Sequence, residues 1–317
     1  MKKKLLFIYN AKSGTAAITK QLSSIIDIFI KHGYFVDVYQ TQSARDAKRQ
    51  IAKRANEFDM VVCSGGDGTL NEVASGLMRL PKENRPVVGY IPSGSTNDFA
   101  GSIGLKKDMM ENAKIAVMGT PYQVDIGSFN KKNFVYIAAF GIFTRVSYTT
   151  PQKLKNLFGH QAYIMEGIKS ISTIKSYRMR FEYEDKVIED DFIYGMISNS
   201  NSAGGFSGIM GHNVVLDDGL YEVTLVRTPK NLIELLDIVN ALVNQKPSEF
   251  IYSFKVSEIR VFSKKKIAWT LDGEYGGSHK EVYIYNNKNA MTILGDMHKH
   301  EHSTEKHLTD KTEAKND

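Results

Sequence analysis

The sequence predicts an α/β fold, a doubly wound parallel sheet followed by a second, β-rich domain, and three observations carry that expectation. Short apolar runs alternate with amphipathic helical segments over the first third of the chain. Glycine-containing loops directly follow the first, third and fourth of those runs, where α/β sheets bind their ligands. Beyond Tyr122 the alternation gives way to many short strand-like runs. With 317 residues and 42% hydrophobic content, the chain has apolar mass for two cores.

Leu5 to Tyr9 reads as the first strand. Ile18, Leu22, Ile25, Ile26 and Phe29 recur at helical spacing, and Gly33 supplies a stop. Tyr34 to Tyr39 is the second strand. Ser43 is then placed to cap a helix that turns Ala47, Ile51 and Ala55 inward and keeps a basic outer face. Met60 to Cys63 is the third strand, Leu70 to Leu77 begins the third helix, and Val87 to Ile91 is a fourth strand ending at Pro92. In the second domain, helical patterning is confined to Tyr163–Ile171 and Leu232–Val243. From His298 the chain is charged and without apolar period, which predicts a disordered tail over 298–317.

The longest apolar run, Phe134 to Phe143, falls short of the roughly 18 residues a membrane span needs. The basic start MKKK precedes an apolar stretch too short for a signal peptide, and the one cysteine, Cys63, admits no disulfide framework. These features predict a soluble, cytoplasmic protein. A net charge of +6 suits a polyanionic partner, whether membrane surface, nucleic acid or nucleotide.

The loop Gly65–Thr69 joins the end of a buried strand to the first turn of a helix, so its backbone N–H groups can cradle phosphate. A glycine-rich turn that binds nothing fits the same residues. Asp67 favours the first reading, because a carboxylate in an anion-binding loop calls for a cation between it and the phosphates, hence a Mg²⁺-nucleotide. Two further loops, NAKSGT at Asn10–Thr15 and PSGSTNDFA at Pro92–Ala100, leave the same edge of the sheet and can converge with it. Singly, Asn10, Ser13, Ser95, Thr96 and Asn97 are ordinary turn and cap residues, and Asp98 is a plausible helix cap.

Together GGDGTLNEV (Gly65–Val73), PSGSTNDFA, AGG (Ala203–Gly205), LDDGLYEV (Leu216–Val223) and LDGE (Leu271–Glu274), in this order, resemble the bacterial diacylglycerol kinase-like lipid kinases. These are related to sphingosine and ceramide kinases and more distantly to NAD kinases and phosphofructokinases. The resemblance extends to about Gly295. It implies a nucleotide-binding domain over 1–121 with a last strand near 290–295 returning to it, a β-sandwich lipid domain over 122–289, and a cleft between them. ATP contacts are implied at Asn10, Thr41, Gly65, Gly66, Asp67, Gly68, Thr69, Leu70, Asn71, Glu72 and Ser95. The first loop lacks the family's proline, having Ala11, and Ser95 stands where the family has threonine, so a hydroxyl survives.

Read alone, Asp272-Gly273 is a hairpin turn, and LDDGLYEV is either a cation site or a solvated hairpin. By resemblance, Glu274 is the general base that accepts the lipid hydroxyl's proton, and Asp67, Asp98 and Asp125 form the acidic network holding catalytic Mg²⁺. Asp125 also reads simply as a strand-end cap. By resemblance again, Asp218 with the carbonyls of Val215 and Leu220 binds a structural Mg²⁺. Trp269 reads as core. Thr150–Tyr163, with Lys153, Leu154, Lys155, Leu157 and Phe158, suits either an anionic bilayer or an ordinary surface helix. The implied function is an ATP-dependent lipid kinase acting on diacylglycerol or a similar lipid, with Mg²⁺, an anionic membrane surface and no nucleic acid as partner. A homodimer is compatible with it. The competing readings are a soluble-substrate kinase of NAD kinase type and a catalytically silent binder.

Overall fold

The computed structural model describes residues 2–14, 16–142, 175–200, 214–244 and 246–296. The features noted at Ala203–Gly205, Thr150–Tyr163, Tyr163–Ile171 and 298–317 lie outside the described residues. The chain divides into two compact units, Met1–Val124 with Ala290–Asp317, and Asp125–Asn289.

The first unit runs β1 (Lys3–Tyr9), α1 (Ala17–Lys31), β2 (Tyr34–Gln40), α2 (Asp46–Arg54), β3 (Met60–Gly65), α3 (Asp67–Leu77), β4 (Val87–Pro92), α4 (Asp98–Ser102) and α5 (Met109–Met118). Its strands lie in the order β2-β1-β3-β4, all parallel, and the end of the chain's last strand continues the sheet by pairing Ile293 with Val88. Strands buried on both faces read as continuous apolar runs. β3 is buried throughout, and β1 from Leu5 onward, whereas the edge strand β2 alternates half-buried and exposed residues. Leu5, Phe7 and Tyr9 of β1 pack with Ile18, Ile25, Ile28 and Phe29 of α1 and with Ala113 and Ala116 of α5. Leu6 and Ile8, which strand alternation turns to the opposite face, are equally buried. On α1, Leu22 and Ile26 are only half-buried, and Ile28 takes a core position instead.

The cap of α2 departs from the sequence expectation. Ser43 does not cap α2; its carbonyl accepts the N–H of Asp46 at 3.2 Å. The N-cap position is Arg45, in the left-handed region at φ 63° with no side-chain bond of its own to the helix. The carboxylate of Glu72, on α3, takes over.

The second unit comprises the rest of β5 (Thr120–Phe129), β6 (Lys132–Phe134), β7 (Ile137–Gly141), β8 (Tyr177–Tyr183), β9 (Lys186–Ser198), β10 (Tyr221–Arg227), α6 (Leu232–Asn244), β11 (Ile251–Val256), β12 (Glu258–Leu271) and β13 (Glu274–Gly295) up to Asn289. Its ladders β7–β9, β8–β9, β12–β7 and β12–β8 are all antiparallel, so these four strands close a circuit. Register shifts in the β12–β13 ladder, after Phe262 and after Trp269, mark bulges of the kind that let a long strand bend. The enclosed core is aromatic. The Trp269 ring lies 4.9 Å from Phe140 and 5.2 Å from Phe129, and Phe181 meets Phe192 edge-on at 5.2 Å. Trp269 is 1% exposed, so the lone tryptophan is a core residue.

Cys63, in the middle of the first unit's sheet, is fully buried, and burial pushes its thiol up to about 12. The native protein is therefore expected to leave a thiol reagent such as dithionitrobenzoate unreacted at pH 8, with one thiol released at the rate of unfolding when urea is added. Immediate stoichiometric reaction without denaturant would show that β3 opens readily.

Candidate active site

The loops after β1, β3 and β4 meet at the carboxyl edge of the first unit's sheet. Asn10 donates its N–H to the Ser64 carbonyl at 2.9 Å, and Ser93 donates to the Gly65 carbonyl at 2.8 Å. The approach is close enough to demand glycine. A Cβ on Gly94 would sit 2.5 Å from the Gly66 Cα, and one on Gly14, at φ +54°, would sit 2.3 Å from the Ser93 carbonyl oxygen. The first loop is folded by its own polar groups: Asn10 Oδ1 accepts from Lys12 N–H at 3.0 Å, and Ser13, 8% exposed, donates its N–H to the Asn10 carbonyl. Thr41, at the end of β2, hangs from the Tyr9 carbonyl through its N–H at 2.9 Å and its hydroxyl at 3.3 Å. Sequence spacing thus brought together the right three loops, because parallel strands must end on one edge.

Beneath them α3 starts at Asp67, with Gly66 as an N-cap that offers no side chain. A helix N-terminus favours phosphate oxygens, and this one lies against the loops: a Cβ on Gly66 would stand 3.4 Å from the Gly94 Cα and 3.7 Å from Ser13 Oγ, while Thr69 donates its N–H to the Gly66 carbonyl at 2.9 Å. Thr69 packs its side chain into the space that a Cβ on Gly65 would fill. Leu70 is fully buried and donates its N–H to the Gly66 carbonyl, so its side chain faces the core, away from the loops. Ser95 is exposed.

The two carboxylates of α3 reach sideways. Asp67 Oδ2 accepts the N–H of Asp98 at 3.0 Å and Oδ1 that of Phe99 at 3.4 Å, so Asp67 holds the N-terminus of α4. Asp98 is the first residue of α4 and not its cap; that position is Asn97, left-handed at φ 54°. The Asn97 amide instead closes the β4 loop, accepting from Gly94 N–H at 2.9 Å and donating to the Gly94 carbonyl at 2.8 Å. Glu72 holds α2: Oε1 accepts the N–H of Arg45 at 2.6 Å and Oε2 that of Ala47 at 3.1 Å. Asp67 and Asp98 are thus brought together, while Glu72 points to a neighbouring helix.

In the second unit, Asp272 and Gly273, at φ 47° and 82°, form the two-residue turn between β12 and β13, and Leu271 pairs with Glu274 across it. Glu274 is exposed. Asp272, which sequence reasoning treated only as a turn residue, is 3% exposed. Its Oδ2 accepts Val135 N–H at 2.7 Å, and its Oδ1 accepts Tyr136 and Ile137 N–H at 3.0 and 3.1 Å. The hairpin bearing Glu274 is therefore riveted to the start of β7.

Asp125 lies inside β5, fully buried. Its Oδ1 accepts Asn289 N–H at 2.7 Å, and its Oδ2 accepts Gly219 N–H at 2.7 Å and Asn286 Nδ2–H at 3.0 Å. Burial raises its carboxyl above the usual range, with the donors opposing. Asp218 Oδ1 accepts Leu220 N–H at 2.8 Å, Oδ2 lies 3.3 Å from Lys255 Nζ, and the Asp218 carbonyl accepts from Lys288 Nζ at 3.2 Å. Lys255 also pairs with Glu222 at 2.9 Å, yet burial keeps Glu222 raised. Among the described residues no three His, Cys, Asp or Glu side chains form a metal-binding group, so a cation here has to draw on backbone oxygens. Hard oxygens of the kind expected here, the Asp218 carboxylate and the Val215 and Leu220 carbonyls, would have to compete with the Lys255 and Lys288 ammonium groups that already engage Asp218.

Asp272→Ala leaves three buried N–H groups without an acceptor and places alanine at positive φ, so a loss of about 3 kcal/mol is expected by urea denaturation. Asp272→Asn keeps an acceptor oxygen and tolerates the backbone angle, and is expected to lose less. Equal stability of wild type and Asp272→Ala would contradict the rivet.

Comparison with known proteins agrees with this architecture. Residues 4–129 match the family model described as the diacylglycerol kinase catalytic domain. The chain is 32% identical over 280 residues to the diacylglycerol kinase of Bacillus subtilis (strain 168), covering 87% of this chain and 91% of that one. It is 34% identical over 282 residues to the diacylglycerol kinase of Staphylococcus epidermidis (strain ATCC 12228 / FDA PCI 1200), covering 87% of each. A solved structure of a diacylglycerol kinase from Bacillus anthracis str. Sterne shares the fold, with a TM-score of 0.72 at 22% identity over 93% of this chain and 98% of that one. On the extent and identity of these matches, the chain belongs to the diacylglycerol kinase family.

Proposed function

We propose that this lipid kinase transfers the γ-phosphoryl of Mg-ATP to the hydroxyl of diacylglycerol or a closely similar lipid. The observation that carries the reading is the meeting of Gly14, Gly66 and Gly94 over the side-chain-free N-terminus of α3. In this reading the triphosphate lies against the backbone of Gly65–Thr69, with Asn10, Thr41, Asn71 and Ser95 around it. Mg²⁺, drawing on Asp67 with Asp98 beside it, neutralises the phosphate charge when bound. Asp125 also holds the turn that carries Asp218, accepting from Gly219, Asn286 and Asn289 much as Asp67 accepts from Asp98 and Phe99.

A lipid hydroxyl is a weak nucleophile at neutral pH, so a carboxylate must take its proton as the new bond forms. Glu274 has that role: the proton passes to its carboxylate, the lipid oxygen bonds to the γ-phosphorus, and the bond to the β-phosphate oxygen breaks to release ADP. Its exposure at the tip of a fixed hairpin supports the assignment, because an acceptor embedded in a bilayer has to be met at the protein surface. Among the described residues no helix is long and apolar enough to cross a membrane. A net charge of +6 favours an anionic membrane surface, and we place the enzyme at the cytoplasmic face of such a membrane.

The decisive assay supplies labelled ATP and Mg²⁺ with diacylglycerol, ceramide, sphingosine, undecaprenol and NAD in separate reactions and asks which product extracts into organic solvent. Diacylglycerol is expected to be labelled, and Glu274→Gln to lower kcat by roughly 10² or more while leaving ATP affinity unchanged. Label in NAD alone would overturn the lipid reading, and near-wild-type kcat in the variant would remove Glu274 from the proton transfer.

Magnesium at the Asp218 turn has its own test. Mg²⁺ is expected to raise the melting temperature of the wild type and to have a smaller effect on Asp218→Ala. Equal shifts in both proteins would mean that the Lys255 and Lys288 ammonium groups alone neutralise this turn.

A further inference from the structure

We propose that Glu72 is a positioning residue for nucleotide binding, acting through α2 and the loop before it, with its carboxylate on that loop and not on the nucleotide. The proposal rests on the nucleotide reading given above and assigns one residue of it a distinct task.

The N-terminus of α2 has no cap of its own. Arg45, at the cap position, is left-handed at φ 63° and ψ 13°, and its side chain makes no bond to the helix. The N–H groups on either side of Asp46 both go to Glu72, Arg45 N–H to one oxygen at 2.6 Å and Ala47 N–H to the other at 3.1 Å. Asp46 passes the constraint back along the loop, its Oδ2 accepting Gln42 N–H at 2.8 Å and the Tyr39 hydroxyl at 3.1 Å. Those bonds hold the Asp46 carboxyl below its usual range, the Gln42 N–H foremost. Thr41 stands next to Gln42, fixed to the Tyr9 carbonyl at the edge where the phosphate loops meet. The chain of contacts runs from α3 through Glu72, Arg45, Asp46 and Gln42 to Thr41.

Glu72 shares α3 with Asp67. It stands five positions after Asp67 on α3, about 7.5 Å along the axis and about 140° around it. Asp67 accordingly reaches α4 and Glu72 reaches α2. One rigid helix thereby sets two of the surrounding loops at fixed positions relative to its own N-terminus, where the phosphate groups are expected. Loss of the Glu72 bonds frees the β2–α2 loop without touching the groups that do chemistry. The expected signature is weaker ATP binding at nearly constant turnover.

The test uses the full chain with Glu72→Ala, Glu72→Gln and Glu72→Ala combined with Arg45→Gly. Equilibrium dialysis with labelled Mg-ATP gives Kd, lipid phosphorylation gives kcat, and hydrogen exchange reports the amides of Gln42–Ala47. Glu72→Ala is expected to raise Kd by about tenfold and to speed exchange over Gln42–Ala47 by a similar factor, the scale of losing hydrogen bonds to a charged acceptor. Its kcat is expected to stay within about twofold of wild type, as for a group that does not act in the transition state. Glu72→Gln keeps an acceptor for one of the two N–H groups and should fall between. Glycine occupies the left-handed region freely, so Arg45→Gly in the Glu72→Ala background should recover part of the lost affinity.

Unchanged exchange over Gln42–Ala47 in Glu72→Ala would overturn the proposal. So would equal affinity losses in Glu72→Gln and Glu72→Ala with exchange unaltered, which is the pattern of direct nucleotide contact. If Glu72→Ala does not fold, Glu72→Gln carries the same comparison. Absence of lipid phosphorylation by the wild type would count against the lipid reading alone, since dialysis and exchange judge Glu72 without it.

Discussion

Tight connections between strands and helices leave backbone N–H groups that the helix or ladder cannot pair, and in this chain carboxylates take them up. Asp67 accepts from the start of α4, Glu72 from the start of α2, Asp272 from the segment before β7, and Asp125 from the Asp218 turn and from β13. An N–H buried without an acceptor costs about 1–3 kcal/mol, so each of these side chains fixes a turn that otherwise would open to water. The acidic residues of the signature stretches are therefore structural elements first. Whatever chemistry they support is done by groups already held in place.

This arrangement also explains why so many acidic residues tolerate one another. The carboxylates are dispersed over separate donor sets, and each negative charge lies against the positive end of a helix or a cluster of N–H dipoles. Asp46 shows one limit, with donors holding its carboxyl low; Asp125 shows the other, where burial outweighs three donors. The three loops themselves contribute glycine backbone and hydroxyl groups to the same edge of the sheet.

Much of the fold could be read from the chain because local pattern and tertiary role coincide there. Buried parallel strands are apolar runs, α1 carries its stripe, and glycines mark the loops where backbones approach within a Cβ's radius. Asp272-Gly273 reads as a hairpin and is one. What stayed hidden depends on partners remote in sequence. Asp272 meets N–H groups 135 to 137 residues away, and Glu72 caps a helix 25 to 27 residues before it. Ser43 has the composition of a cap, but the helix begins at Asp46 and is capped by tertiary contact. Asn97 looks like turn filler, yet its amide folds the β4 loop and receives the Tyr90 hydroxyl at 3.4 Å.

The last strand of the first unit's sheet has a consequence for how the protein is made. β4 gains its outer neighbour only from residues beyond Ala290, where Ile293 is fully buried and Leu294 nearly so. During vectorial synthesis, the N-terminal sheet emerges from the ribosome with β4 as an open edge and keeps it until almost the entire chain has followed. At a synthesis rate of about 5–20 residues per second, that interval lasts on the order of ten seconds or more. An unpaired apolar edge is a template for pairing with other nascent chains. A fragment that stops short of this strand is therefore expected to self-associate through β4, a consequence of the order in which the chain is spelled out.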